Sequence, residues 1–487
     1  MTNLSDLLPA GAASKQLSFT ASGTVAQGKP VILNTNGTVT QVAGNSASQS
    51  VGSPAVYETA TTQYSSCAYD ANTGKIVVAY HSSSTNGTAV VGTVSGTSIS
   101  FGTPVTFTSN SVSAVSAVYD TNAQKILILY KDGSTGHGKG IVGTVSGTSI
   151  SFGSIATFAS DTTSSIAAAY DENAQKTVIV FEDEGNGDYL TAVVATVSGT
   201  SVSFGSEVVA HNASVSFTSI AYDSNAQKVV VAYRNHDNSY YGTAKVGTVS
   251  GTSTSWGSPV VFESAFIEYT ATAYDSNANK TVIAFKDEGN SQYGTAIVGT
   301  VSGTSISFGT AVVFETASTP WITMSYDVNA KKVVLAYRDN GNSNQGTAIA
   351  GQVSGTSITF ETAQVFETGN TTEIGSAYDS GQQKVVFAYR DNGNSSYGTG
   401  VVFQASYDNT NLTATNFFGI ADEAISNGAS GNVTMKGGIA SNGLSSLTPG
   451  TTLFVQRDGT FATTASDPSV EAGKAMSATS INLDYST

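Results

Sequence analysis

At 487 residues, with 40% hydrophobic and 11% charged side chains, the chain has the length and apolar content for a buried core and lacks the balance of a disordered polypeptide. A net charge of −15 opposes binding to phosphate backbones, so nucleic acid is not an expected partner. A single cysteine, Cys67, excludes an intramolecular disulfide framework and any multi-thiolate metal site.

The opening stretch, MTNLSDLLPAGAASKQLSF, has neither the basic start nor the apolar run of a signal peptide, and no segment approaches the ~20 apolar residues of a membrane span. No membrane insertion is expected. Fifty glycines, 22 tyrosines and 21 phenylalanines favour strands and tight turns, so the fold class is all-β. From Val25, VAQGKPVILNTNGTVT reads as a strand, an Asn36-Gly37 turn and a second strand.

A repeat then begins. Tyr-Asp pairs fall at Tyr69, Tyr119, Tyr170, Tyr222, Tyr274, Tyr326 and Tyr378, and subtraction gives spacings of 50, 51, 52, 52, 52 and 52. Periods of this length mark solenoids, propellers or arrays. The copy from Ser219 to Phe262 resolves into four strands: SIAYD, QKVVVAYR, GTAKVGTVSG and TSWGSPVVF. The second is apolar at consecutive positions, as in Ile76 to Tyr80, and therefore needs cover on both faces. The first carries small residues, such as Ser66, Cys67 and Ala68, which suit a crowded central axis. Four-stranded antiparallel blades around an axis are the plan of a β-propeller. In the SGTS corner, glycine stands where a type II′ turn requires positive φ. The Tyr-Asp pairs read as turn formers, with metal or ligand binding as the alternative.

The phrase VSGTSISFGTPVTF, at Val94 to Phe107, recurs six times against seven Tyr-Asp pairs. The seventh unit leaves the pattern after YGTGVVFQASY, yet SVGSPAVYE, Ser50 to Glu58, precedes the first pair and matches the fourth strand. The expectation is a seven-bladed propeller over residues 50–407, with Ser50–Glu58 closing the last blade.

Residues 1–49 and 408–487 flank it. LTPGTTLFVQRDGTFA, from Leu447, aligns without a gap to the Val25 stretch, matching Gly28 to Gly450 and Asn36-Gly37 to Asp458-Gly459. A β-rich base domain built from both chain ends, with the propeller inserted, is the simplest plan. The two flanks resemble structural proteins of tailed bacteriophages, of the capsid-decoration, head-fibre or tail-fibre type. That resemblance implies a virion protein assembled in the host cytoplasm, with other capsid or tail proteins as partners and a homo-oligomer, where there is one, formed through the base. The displayed insert would bind a host surface glycan or only decorate. A free lectin-like, carbohydrate-binding propeller is the alternative, and a glycan hydrolase a third.

Hydrolysis needs two carboxylates, one with a raised pKa. The acids here are mostly repeated turn residues, including the loops KDEGNSQYG, RDNGNSNQG and RDNGNSSYG, whose Asp and Asn-Gly are ordinary turn formers, with calcium or sugar binding as the alternative. No phosphate-cradling loop or zinc motif is present, so no enzyme, cofactor or metal is expected. The four histidines are scattered over different units and expected at the surface. Recognition is expected where loops vary on a constant scaffold. Four residues of the segments between blades, Phe266, Glu268, Tyr269 and Trp321, are the candidate ligand-binding set: aromatic rings with a nearby carboxylate. Trp321 is open to a second reading, as filling between blades.

Overall fold

The computed structural model describes residues 15–483; the first part of the stretch read against a signal peptide, which also opens the phage resemblance, lies outside these residues. The chain is all-β, built of antiparallel sheets, and among the described residues it has no α-helix. It divides into two compact units, Ser48–Ser406 and a second formed from the two flanks.

Within Ser48–Ser406, each repeat forms four antiparallel strands joined by short turns. In the fourth repeat Val215–Asp223 pairs with Lys228–Asn235, which pairs with Tyr241–Ser250, which pairs with Ser253–Trp256 and then Val260 onward. The strand Val260–Asp275 is 16 residues long because it serves two repeats: its first half is the outer strand of one and its second half opens the next. The same strand is interrupted between the fifth and sixth repeats, where Pro320, which has no N–H to donate, falls between Val312–Ser318 and Thr323–Asp327. The second strands form the core: Ile76 to Tyr80 are wholly buried, as their unbroken apolar run demands. Gly251 has φ 63° in the two-residue corner between Ser250 and Ser253, as a type II′ turn requires.

The segment from Ser50 pairs with the seventh repeat. Ser50 and Val51 lie opposite Gln404 and Phe403, and Ala55, Val56 and Glu58 opposite Gly400, Thr399 and Gly398. The chain beginning of this unit thus supplies the outer strand that its end lacks.

The Tyr-Asp pairs prove to be joints. Each Tyr hydroxyl accepts a hydrogen bond from a turn amide of the preceding repeat, for example Asn173 N to Tyr222 and Asn225 N to Tyr274, 3.2 and 3.3 Å. The series runs round to Gly381 N, which donates to Tyr69 of the first repeat at 3.1 Å. Each Asp accepts from its own turn, as Asp223 does from Ala226 N at 2.9 Å. Cys67 lies buried in the apolar core, where burial pushes its thiol up to about 12.

A glycine ends the first part of the outer strand in six of the seven repeats, for a packing reason. A Cβ on Gly102, Gly153, Gly205, Gly257 or Gly309 would overlap the carbonyl oxygen of the Thr in the next repeat's SGT corner, and Gly52 stands likewise against Thr97. The equivalent place in the sixth repeat is Glu361, because the seventh repeat has no such corner to meet. Its carboxylate instead takes Lys332 Nζ and the Ser406 hydroxyl. Gly309→Ala is therefore expected to cost about 1–3 kcal/mol, the usual range for an overpacked site, measured by denaturant unfolding. An unchanged midpoint would mean that neighbouring repeats do not pack through this corner.

The flank unit contains two five-stranded sheets. One joins Gln16–Thr20, Ser430–Met435, Phe417–Ala421, Pro30–Leu33 and Val39–Gln41, and so draws on both flanks. The second carries Thr452–Val455 and Phe461–Ala462. The two hairpins aligned by sequence turn in the same way. Asn34 N donates to Thr38 O and Gln456 N to Thr460 O, both at 2.8 Å, with Gly37 and Gly459 at φ 81° and 74°. Asn36 and Asp458 each accept from the amide and hydroxyl of the following Thr, Thr38 and Thr460.

Candidate binding site

On the first strand of six of the seven repeats the register slips; in the sixth that strand is interrupted instead. Gln63 pairs with His81 but Ser66 with Ala79, so Tyr64 and Ser65 together oppose one residue, a β-bulge. The first bulge residue has left-handed φ: 55° at Tyr64, 48° at Ala114, 47° at Ser165, 51° at Phe217, 52° at Tyr269 and 56° at Glu373. Trp321 takes φ 61° at the same repeat offset, behind Pro320. A side chain held there costs roughly 1–2 kcal/mol, so one such residue in every repeat, at bulged or interrupted first strands, is a site where conformation is imposed by the surrounding sheet.

These seven residues, one per repeat, line a single open cavity of about 320 Å3. The wall is graded in repeat order. Ala114 and Ser165 leave one side low. Phe217, Tyr269 and Trp321 form the opposite side as consecutive rings, with centroids 5.0 Å apart for the first pair and 5.4 Å for the second. Between Trp321 and the low side stand Glu373 and Tyr64, joined by a 3.0 Å hydrogen bond from Tyr64 N to Glu373 Oε2.

Burial raises the Glu373 carboxyl above the usual carboxylate range, opposed by the Tyr64 amide and by Arg390. A raised folded value means that the stability attached to this group is complete below the ordinary carboxylate pKa and is lost as pH rises through the folded one. Glu373→Gln removes that loss. It is expected to raise the melting temperature at neutral pH, with the gain vanishing in acid; a gain that persisted in acid would refute the charge argument.

Tyr269 and Trp321, two of the four residues selected from sequence, share this wall. The other two do not line it. Phe266 is 37% exposed and meets Tyr240 edge to face at 5.3 Å. Glu268, expected as a carboxylate beside the rings, is tied into ion pairs with Arg234 at 3.4 Å and Lys286 at 3.2 Å. Lys286 stands opposite it on the partner strand, and Arg234 reaches it from the second strand of the preceding repeat. The Arg234 guanidinium in turn lies 4.7 Å from the Phe217 ring and 5.0 Å from that of Phe266.

Sequence reading missed Phe217, Tyr64 and Glu373. Their signal was available: all seven cavity residues stand five positions before the Tyr of a Tyr-Asp pair, in a column of the repeat that holds Tyr, Ala, Ser, Phe, Tyr, Trp and Glu. The histidines also depart from expectation, being half-buried. His211 Nδ1 bonds the buried Tyr233 hydroxyl at 2.7 Å, and His236 bridges Ser214 and Ser216. The acidic loops are turns: Asp339 Oδ1 accepts from Gly341 N and Asn342 N, and Asp391 Oδ1 from Asn394 N.

No protein-family model matches the chain, and no curated protein does. Among solved structures it is similar to the BP39L lectin of Burkholderia pseudomallei, with TM-score 0.54 and 11% identity over 73% of this chain and 99% of that one. A protein of unknown function from Dyadobacter fermentans aligns with TM-score 0.44 and 10% identity over 74% and 99%. The likeness to the lectin is one of fold. Neither match supports a virion origin.

Proposed function

We propose that Ser48–Ser406 is a closed seven-bladed β-propeller that binds carbohydrate in its axial cavity, without hydrolysing it. The observation that carries this reading is the cavity wall: seven equivalent left-handed residues, of which three consecutive ones are aromatic. Aromatic faces stack on the C–H faces of sugars, and a concave site with a few polar groups at its edge fixes their orientation. Closure is supported by the pairing of Ser50–Val51 with Phe403–Gln404 and by the Gly381-to-Tyr69 bond. The lectin of similar fold supports the ligand class. The wall contributes one carboxylate, Glu373, where glycoside hydrolysis calls for two. Binding to a glycan array tests the reading, and a blank array overturns it.

Display of this propeller on a phage particle is a second reading. It rests on the resemblance of the flanks and on their folding into one unit with twin hairpins, a form suited to anchoring an insert. Its partners would be capsid or tail proteins, and its location the virion. Fixed stoichiometry in purified particles would support it; absence from them would remove it.

A further inference from the structure

We infer that the cavity is one end of an aromatic track that runs outward across the fourth repeat, and that the track takes an extended, neutral, α-linked glucan chain rather than a single sugar. This rests on the carbohydrate reading above and names its ligand class. From Trp321 and Tyr269 the rings lead to Phe217, whose face is covered by Arg234. Two further rings lie against that guanidinium, Phe266 at 5.0 Å and Tyr240 at 5.6 Å, so the line of aromatic contacts is continuous from cavity to rim. Cation–π contact holds such a planar cation between rings.

The outer end is particular to this repeat. Tyr240 is 47% exposed at φ 63°, yet Gln292, Asn344 and Ser396 stand at its place in later repeats with φ 62–65°. Phe266 pairs with Tyr241, and the residues so paired elsewhere are Ser214, Ser318 and Asn370. Two exposed aromatics thus occur together where the scaffold itself asks only for small polar residues. An exposed aromatic pair that the other repeats do without is not required by the fold and marks a contact surface.

The chemistry of the track narrows its occupant. The charge of Arg234 is met by Glu268, so that guanidinium offers no unpaired cation to an acidic sugar, and the Glu373 carboxylate at the cavity end opposes one; both favour a neutral chain. Successive rings are turned from one another, 53° between Trp321 and Tyr269, 49° between Tyr269 and Phe217, and 74° between Phe266 and Tyr240. A chain that follows them must turn between sugar units. Axially linked α-1,4-glucans do so, whereas β-1,4-linked glucans run as flat ribbons.

Calorimetry of the full chain with maltose, maltohexaose and cellohexaose tests this. Maltohexaose is expected to bind at least about tenfold tighter than maltose, because neighbouring subsites on one chain act together. The double variant Tyr240→Asn, Phe266→Ser uses residues found at the same places in other repeats, so the fold is retained. It should remove the gain of the longer chain and leave maltose affinity unchanged. Equal affinity for the two malto-oligosaccharides, a gain that survives the double variant, or preference for cellohexaose would overturn the track. Binding of some other glycan on an array, with no malto-oligosaccharide bound, would overturn it while leaving the carbohydrate reading in place. A blank array would overturn both.

Discussion

Trp321→Ala is expected to weaken binding of the best array glycan by about 30-fold, since loss of a central aromatic anchor costs about 2 kcal/mol or more. Trp321 stands at the head of the three consecutive rings and packs tilted against Tyr269, with centroids 5.4 Å apart. Its backbone is held left-handed, so its ring is presented by the scaffold and need not be ordered when ligand arrives. The alternative reading of Trp321 as filling makes the opposite forecast: a lower melting temperature with affinity intact. Titration calorimetry beside thermal unfolding of the same variant separates the two, and Trp321→Phe, which keeps a stacking face, should recover most of the affinity. Unchanged affinity in Trp321→Ala would remove the axial cavity as the binding site.

The second large effect concerns closure. Tyr57→Ala is expected to cost about 3–5 kcal/mol in denaturant unfolding, the range for deleting a buried aromatic side chain. Tyr57 lies on the strand that the chain start lends to the last repeat. It is 6% exposed and packs on Tyr80 and Phe101 at centroid distances of 5.1 and 5.3 Å. Its ring covers Gly398 of the seventh repeat, as Phe262 covers Gly242 and Phe314 covers Gly294 within the continuous part of the chain. Phe262→Ala is the matched comparison and should cost a similar amount. A loss below about 1 kcal/mol for Tyr57→Ala alone, within the range of ordinary surface changes, would show that the seam carries little of the fold's stability.

Much of the scaffold was legible in the sequence because it is repeated. A glycine at the corner, an Asp two or three residues before its turn amides and a wholly apolar second strand have local causes, and local causes recur in every copy. The outer strand missing from the seventh repeat was equally legible, since Ser50–Glu58 carries the same pattern as the strand it replaces. The paired hairpins of the flanks were found by the same means, through the Asn-Gly and Asp-Gly turns.

The site was legible only in part. Tyr269 and Trp321 were conspicuous as unrepeated aromatics, but nothing local distinguishes them from Phe266, three residues before Tyr269. The bulge makes that distinction. It turns the residue after Glu268 into the cavity and leaves Phe266 outside it, while the strand opposite sets Lys286, and the preceding repeat Arg234, against Glu268. Tyr64 and Glu373 are 309 residues apart in the chain and meet only because the first and seventh repeats lie side by side.

The sequence by itself determined the all-β class, the seven copies, their four strands and the segment that completes the last of them, since each follows from hydrophobic period, turn chemistry and count. Tertiary structure alone decided which side chains share the axis, which one is neutralised by an ion pair and which pair stays exposed. Those outcomes depend on backbone handedness at the bulge and on contacts between repeats, and neither is written in the residues of any single repeat.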